Sequence, residues 1–256
     1  PNGYDDFVKA SAMVYGDVGG YYLMSRETLR ATVAKNAEAV KLAELGLSRE
    51  CRVPLDYSPT NTVRTQRLGA IKHLALAITA TGHLAELENR PTDAARAYLT
   101  VIRLGKASSQ GGTVIDLLVG IAIEAIGTGA MEKLAPSLEA KQCHEAAAVL
   151  EACDAQREPA NAVWARERLW VRRTFGLRGQ LARVIQFRSL SQSEQRVTAK
   201  LTALQARARR LLIELAARAY ELEKGQRPKS LADLVPAYLK GIPQDPVTGT
   251  NVAYYP

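Results

Sequence analysis

The sequence has few cysteines and few aromatic residues, and each shortage excludes a class of protein. Three cysteines among 256 residues are too few for a disulfide scaffold, and their spacing matches no zinc site. On one continuous helix Cys143 and Cys153 would lie about 15 Å apart in rise, which is too far for a disulfide. Cys51 is then the residue with which either of them would have to pair. Aromatic residues make up only 6% of the chain, and this scarcity favours helices over sheets.

Long apolar runs are also missing. The longest, from Val114 to Ile126, is interrupted by Asp116, Gly120 and Glu124, whereas a transmembrane helix needs about 20 apolar residues. These three positions are spaced by four, so they form one stripe on an otherwise apolar helix. The pattern predicts a buried helix of a soluble domain, and no transmembrane segment in this chain.

Sequence motifs for catalysis, cofactors and metals are absent. The sequence has no glycine-rich phosphate loop, no nucleophile elbow and no metal-binding pair. His73 and His83 are ten residues apart on one predicted helix and face different directions, and His144 lies outside any metal or haem spacing. We therefore predict a protein that is not an enzyme, with no catalytic residue, no cofactor and no metal.

Glu167 is the acid with the strongest claim to a chemical role. It lies between Val163 and Trp170 on the inward stripe of an arginine-rich helix, where an unpaired charge is costly. We expect a buried Glu–Arg pair. The alternative, a hydrolase that uses Glu167 as general acid or base, needs a second group and a cleft that the sequence does not reveal.

The periodicity of the chain predicts an all-α fold built from antiparallel helix pairs. Asn2 is placed to cap a first short helix that reaches about Tyr15, and Ser25 begins a second helix. Further helices are expected from Val63 to Glu88 and from Pro91, which suits a first turn. We expect one all-α domain over residues 1–224, with a proline-rich strap over residues 225–256 packed on it.

Charge is concentrated in one segment. Residues 157–210 contain 13 Arg or Lys and 3 acids, a net charge of +10, whereas residues 1–156 carry 16 bases and 18 acids. Acids elsewhere are already matched by bases, so some of the cations should remain exposed and form a positive patch. The predicted patch comprises Arg166, Arg172, Arg173, Arg178, Arg183, Arg188, Arg196, Lys200, Arg207 and Arg210.

Such a patch predicts a protein partner with an acidic surface, or a membrane surface. The alternative is a polyanion-binding module for nucleic acid or acidic lipid that uses residues 166–210. Aromatic residues interleaved with the arginines would then stack on bases; they are Trp164, Trp170, Phe175 and Phe187. We do not expect nucleic acid, because no base-reading motif accompanies the charge.

The last long helix should carry a packing seam. Ser191 and Glu194 match a capping box that would begin it. Its apolar positions alternate steps of four and three as far as Leu215, and Leu222 lies one heptad further on. They comprise Val197, Leu201, Leu204, Ala208, Leu211, Leu215 and Leu222. Four members of the predicted patch follow one residue behind the seam.

A helix pair in the first half resembles a tetratricopeptide repeat (TPR). Gly82, Ala94 and Tyr98 stand at the spacing of the small and aromatic positions of that motif, although its early aromatic and closing proline are missing. The resemblance implies that small residues let two antiparallel helices approach and that the tyrosine fills the groove between them.

The C-terminal segment resembles that of the major pseudopilins of type II secretion. The residues that carry the resemblance follow a long helix, and they are Gly225, Pro228, Leu231, Leu234, Ile242, Pro243, Asp245, Pro246, Thr248 and Gly249. The resemblance implies a short helix at Leu231 and Leu234, followed by small strands. We further expect Leu231, Leu234, Tyr238 and Leu239 to pack back on the domain. Asp245 and Asn251 offer oxygens to calcium, as in some pseudopilins, but one carboxylate is too few for a calcium site. The chain lacks the N-terminal methylated helix of pseudopilins.

Over nearly its whole length the chain resembles uncharacterised exported bacterial helical proteins that end in the same strap. The chain also begins with Pro1 rather than Met, so we expect sequence upstream of it, in which a signal peptide or anchor would lie. Together these features predict a structural or protein-interaction subunit of an assembly in the cell envelope, periplasmic or membrane-associated.

Overall fold

The computed structural model describes residues 1–57, 62–185 and 187–254, without the side chains of Thr62, 177–185 and 187–191. This part of the chain is all-α, as predicted, and its only β pairing is one isolated antiparallel bridge between Gln244 and Asn251. The helices are α1 (Gly3–Ala12), α2 (Arg26–Leu47), α3 (Thr62–Leu87), α4 (Pro91–Ser109), α5 (Val114–Leu134), α6 (Ala140–Ala155), α7 (Ala160–Ile185) and α8 (Phe187–Lys224).

The helix starts mostly follow the capping residues in the sequence. The Asn2 side chain accepts the N–H of Tyr4, the Ser25 hydroxyl accepts the N–H of Thr28, and Pro91 is the first residue of α4. Side-chain oxygens at these positions satisfy N–H groups that have no partner within the helix. Helix α1 ends at Ala12, three residues before the predicted end at Tyr15.

The predicted start of the last helix at Ser191 is wrong. Helix α8 already begins at Phe187, so Ser191 and Glu194 lie inside it, and their one-turn spacing occurs equally well within a helix. Helix α7 before it is interrupted at Gly176, which has φ 56° and ψ −140°. Glycine adopts this backbone conformation without the steric cost that other residues incur.

Helices α4 and α5 are in close contact through glycine. A Cβ on Gly120 would lie 2.6 Å from the carbonyl oxygen of Gly105, and one on Gly127 would lie 2.8 Å from that of Tyr98. Because these glycines have no side chain, the backbones of α4 and α5 can lie in direct contact. By length and composition, α5 with its C-terminal extension (Val114–Ser137) is the one helix in the described part of the chain that could cross a membrane.

The two acids of the polar stripe of α5 are buried and form ion pairs with arginines outside this helix. Asp116 is fully buried and forms an ion pair with Arg64 of α3. Glu124, 3% exposed, pairs with Arg157, which follows α6. The helix thus lies inside the helical bundle, and its acids hold it to the elements on either side.

Two of the residues that carry the repeat resemblance, Gly82 and Tyr98, are in contact. A Cβ on Gly82 of α3 would lie 2.4 Å from Cε1 of Tyr98, so the ring occupies the space that a side chain would need. Tyr98 and Ala94 of α4 are both buried, and the Tyr98 hydroxyl donates a hydrogen bond to Glu86. This contact packs α3 against α4.

The C-terminal segment shares a core with the helices. Leu231 and Leu234 belong to a short 3-10 helix (Leu231–Leu234) and, with Tyr238 and Leu239, are buried in the apolar cluster that includes Leu215 of α8. The same cluster draws residues from α3, α4, α5 and α6.

Asp245 shapes the turn near the chain's end. Its Oδ1 accepts the N–H groups of Val247 and Thr248 at 2.8 and 3.0 Å, and these bonds hold the pKa of its carboxyl below the usual value. Buried leucines and the turn at Asp245 therefore each fix part of the C-terminal segment.

Candidate functional site

The packing seam of α8 determines which of its cations face outward. Val197, Leu201 and Leu204 are buried against Leu117 and other residues of α5 and α7, and Leu211 and Leu215 continue the seam into the larger cluster. Leu222 departs from the prediction, because its side chain is 49% exposed. Residues one position behind buried ones on a helix lie about 100° away from them, so the cations there lie beside the seam and not within it.

Four members of the predicted patch are exposed and pair with no carboxylate in the described part of the chain. They are Arg172 on α7 and Arg196, Lys200 and Arg210 on α8. Arg196 and Lys200 are one turn apart. Arg173 is also exposed, but its guanidinium lies 5.2 Å from the centroid of the Tyr57 ring and donates to the hydroxyl of that tyrosine at 3.2 Å.

Two other members of the predicted patch are neutralised. Arg207 donates from Nε and Nη2 to the two carboxylate oxygens of Glu132, at 2.7 and 2.6 Å. Arg166 forms an ion pair with Glu158 and donates to the carbonyl of Gly112 at 2.6 Å. These contacts attach α8 to α5, and α7 to the start of α5.

The side chains of the remaining three members, Arg178, Arg183 and Arg188, lie outside the described residues. Of the 13 cations of residues 157–210, four therefore pair with acids: Arg157, Arg166, Arg207 and Arg209. Six have no carboxylate partner among the described side chains: Arg168, Arg172, Arg173, Arg196, Lys200 and Arg210. The charge excess is only partly compensated within the fold.

The aromatic residues of this segment are engaged in packing. Trp170 is 7% exposed and donates its indole N–H to the carbonyl of Asp56 at 2.6 Å. Trp164 packs against the cluster around Val163. Phe175 is 45% exposed and meets Trp170 edge to face, while the side chain of Phe187 lies outside the described residues. Of the three aromatic rings whose positions are described, Phe175 alone is exposed enough to stack on a partner.

Glu167 has a role that sequence reasoning missed. The prediction of a Glu–Arg pair is wrong: among the described side chains, no arginine forms an ion pair with Glu167. Its carboxylate instead accepts the N–H of Val114 at 3.1 Å. Val114 is the first residue of α5, whose N–H has no acceptor within that helix. A carboxylate is favoured there by the helix dipole. The pair could not be seen in the sequence, since the two residues are 53 positions apart.

The histidines make structural contacts. His73 bonds the carbonyl of Gly16 at 3.0 Å, and His83 meets the ring of Tyr21 edge-on. His144 of α6 lies 3.0 Å from Glu223 of α8 and stacks on Tyr238 at 5.0 Å between ring centroids.

Glu223 also accepts the Tyr238 hydroxyl, at 2.7 Å. The hydrogen bonds from Tyr238 and His144 hold the pKa of Glu223 below its usual value. The side chains of His144, Glu223 and Tyr238 thus connect α6, α8 and the C-terminal segment.

A second feature missed from the sequence is a cleft of about 740 Å³ between the end of α2, the outer face of α4 and the C-terminal half of α6. Arg103 and Lys106 line it from α4, opposite Val149 and Ala152 of α6. The only signal in the sequence was the one-turn spacing of these two cations. All three cysteines are free thiols, and two of them, Cys51 and Cys153, also line this cleft.

No protein-family model, no curated protein and no solved structure matches the chain. The candidate sites are therefore defined by geometry and charge alone.

Proposed function

We propose that this protein is a non-enzymatic interaction subunit that binds an acidic surface of a partner protein. The exposed cations of α7 and α8 carry the proposal. Arg196 and Lys200 project from a helix whose other face is buried in the core, and no carboxylate among the described residues neutralises them. A rigid helix that presents uncompensated cations attracts an acidic surface and orients it.

The chemistry of the segment favours protein over nucleic acid. Single-stranded nucleic acid is held by cations together with exposed aromatic faces. Here Trp170 is buried and hydrogen-bonded, and Trp164 is packed against the core. The polyanion-binding alternative keeps the same cations and is separated by the experiment below.

A role in a cell-envelope assembly belongs to the same proposal. Its support is the resemblance of the C-terminal segment to that of pseudopilins. A protein subunit that presents a fixed charged helix suits such an assembly, because charge complementarity selects partner and register.

The test is binding to fluorescent polyglutamate, measured by anisotropy at about 20 mM and about 300 mM NaCl, where the Debye length falls roughly fourfold. We expect the double variant Arg196→Glu/Lys200→Glu to bind at least tenfold more weakly at low salt. The control is Lys133→Glu/Lys141→Glu, which changes the net charge equally at exposed positions of α5 and α6.

Three results distinguish the alternatives. Equal weakening in both double variants would show a general charge effect and contradict the site. Tighter, salt-sensitive binding to a single-stranded oligonucleotide than to polyglutamate would favour the polyanion-binding module. Preference for vesicles with anionic lipid would indicate a membrane surface.

A further inference from the structure

The cleft between α2, α4 and α6 has the size of a small-molecule site. Its volume is about 740 Å³, and ligand pockets typically measure about 300–1,000 Å³. The residues that line it lie within 47–51 at the end of α2 and just after it, within 103–110 at the end of α4, and within 148–156 at the end of α6. It is separate from the exposed cations of α7 and α8.

Two cations in the cleft have only neutral acceptors. Arg103 donates from Nη2 to the carbonyl of Leu47 at 3.2 Å, and Lys106 donates from Nζ to the side-chain carbonyl of Gln156. The third cation of the cleft, Arg49, is already neutralised by Asp6 at 2.6 Å. Glu50 is the one carboxylate in the lining, and it forms no ion pair with Arg103 or Lys106. Arg103 and Lys106 therefore present uncompensated positive charge.

The charge of Lys106 is less well solvated than that of Arg103, because Lys106 is partly buried and Arg103 is exposed. Burial of Lys106, with the neighbouring cations Arg157 and Arg103, lowers its pKa, although Cys153 and Glu124 oppose this shift. A partly desolvated cation that has no ion-pair partner gains from an added anion, because the attraction is stronger where water is excluded.

The opposite wall is apolar and neutral. Ala148, Val149 and Ala152 of α6 supply aliphatic surface there, and Ala107 adds to it from the α4 side, next to Lys106. The thiols add no negative charge, since burial raises the pKa of Cys51 to about 11 and also raises that of Cys153. The cleft thus combines a cationic edge with an aliphatic wall.

We propose that this cleft binds a small organic monocarboxylate with an aliphatic chain. The carboxylate lies between Arg103 and Lys106, and the chain lies along Ala107, Val149 and Ala152. One carboxylate suits the site better than a multiply charged anion, because Glu50 also faces the cleft and repels further negative charge.

The test uses octanoate as the probe, titrated calorimetrically into the intact protein, with octanol and acetate as comparison ligands. We expect octanoate to bind at least tenfold more tightly than either, because octanol lacks the charge and acetate lacks the chain. Lys106→Met and Ala152→Asp should each weaken octanoate binding at least tenfold. Lys141→Met, an exposed lysine on the same helix as Ala152, is the control and should leave it unchanged.

A second readout uses Cys51, which lines the cleft and is partly exposed. Octanoate should slow modification of this thiol by a disulfide reagent in the parent protein, and not in Arg103→Gln. If Lys106→Met fails to fold, calorimetry and thiol modification of Arg103→Gln test the site instead. Arg103 is exposed, so its substitution should not disturb the fold.

Equal binding of octanol and octanoate, or unchanged binding in the folded Lys106→Met or Arg103→Gln variant, would overturn the carboxylate site. Absence of octanoate binding to the parent protein would also overturn it. A peptide with a free C-terminal carboxylate that binds more tightly than octanoate would reassign the cleft to a protein partner.

Discussion

Arg157 and Glu124 form a two-pronged ion pair inside the protein. Nη1 and Nη2 of the guanidinium donate to the two carboxylate oxygens at 3.1 and 2.6 Å, and the side chains are 8% and 4% exposed. The pair joins the residue after α6 to the middle of α5. It explains how a mostly apolar helix accommodates an acid, and it removes one arginine from the positive surface.

Loss of one partner of this pair should be more damaging than loss of both. We expect Arg157→Met to lower the free energy of unfolding by about 3–5 kcal/mol, because it removes the ion-pair partner of the buried Glu124. The double variant Arg157→Met/Glu124→Leu should recover most of that loss, since it removes both charges. Urea denaturation followed by circular dichroism measures both values. A double variant no more stable than Arg157→Met would contradict this account.

The close contact between Gly82 and Tyr98 gives a second prediction. A methyl group at residue 82 would overlap a buried ring, so Gly82→Ala should destabilise the protein by about 1–3 kcal/mol. The matched control is Gly69→Ala in the same helix, where a Cβ would meet nothing within 4 Å. Because alanine is the better helix former, Gly69→Ala should stabilise the protein by up to about 1 kcal/mol. Thermal melts of both variants check the opposite signs, and equal shifts would refute the contact.

Helix class and most helix starts could be predicted from local sequence, because they depend on periodicity and on caps within a few residues. Ser25 and Pro91 mark the starts of α2 and α4. The start of α8 could not be predicted, since the pattern of Ser191 and Glu194 is equally compatible with a helix interior. Local rules do not specify where two consecutive helices are joined.

The candidate sites depended on pairings that local sequence does not contain. Arg207 meets Glu132 across 75 residues, and Glu167 meets Val114 across 53. Charge counting predicted that some cations would remain exposed, but it could not say which. The seam of α8 indicated the outward positions of Arg196 and Lys200, because a helix with one buried face leaves little freedom to the other.

Removal of apolar contacts of the C-terminal segment should destabilise the protein. Leu234 is fully buried in the cluster that includes Leu215. We expect Leu234→Ala to cost about 2–5 kcal/mol, from lost burial and the cavity left behind. Val247→Ala is the control within the same segment, because Val247 is 75% exposed, and it should change the free energy of unfolding by less than about 0.5 kcal/mol. Deletion of residues 226–256 should lower the melting temperature, and an unchanged value would show that the segment contributes nothing to stability.

Alkaline pH should destabilise the folded protein through its buried tyrosines. Burial, together with the nearby Asp116, raises the pKa of Tyr4 from 10.0 to about 12, and burial, together with the hydrogen bond to Glu223, does the same for Tyr238. The folded state therefore retains phenol protons that the unfolded chain loses at about pH 10. The stability from these groups is fully present below pH 10 and is lost as the pH rises towards 12.

Urea denaturation at intervals between about pH 8 and about pH 12 measures this loss, and absorbance at the phenolate band follows the titration in the folded state. In Tyr238→Phe the fall in unfolding free energy above pH 10 should be shallower than in the parent protein, because one of the titrating hydroxyls is gone. Tyr22→Phe controls for removal of a hydroxyl from a ring that is 63% exposed, and its curve should follow that of the parent. Equal slopes in all three proteins would mean that Tyr238 ionises alike in the folded and unfolded chains, and that its contact with Glu223 does not hold the C-terminal segment on α8.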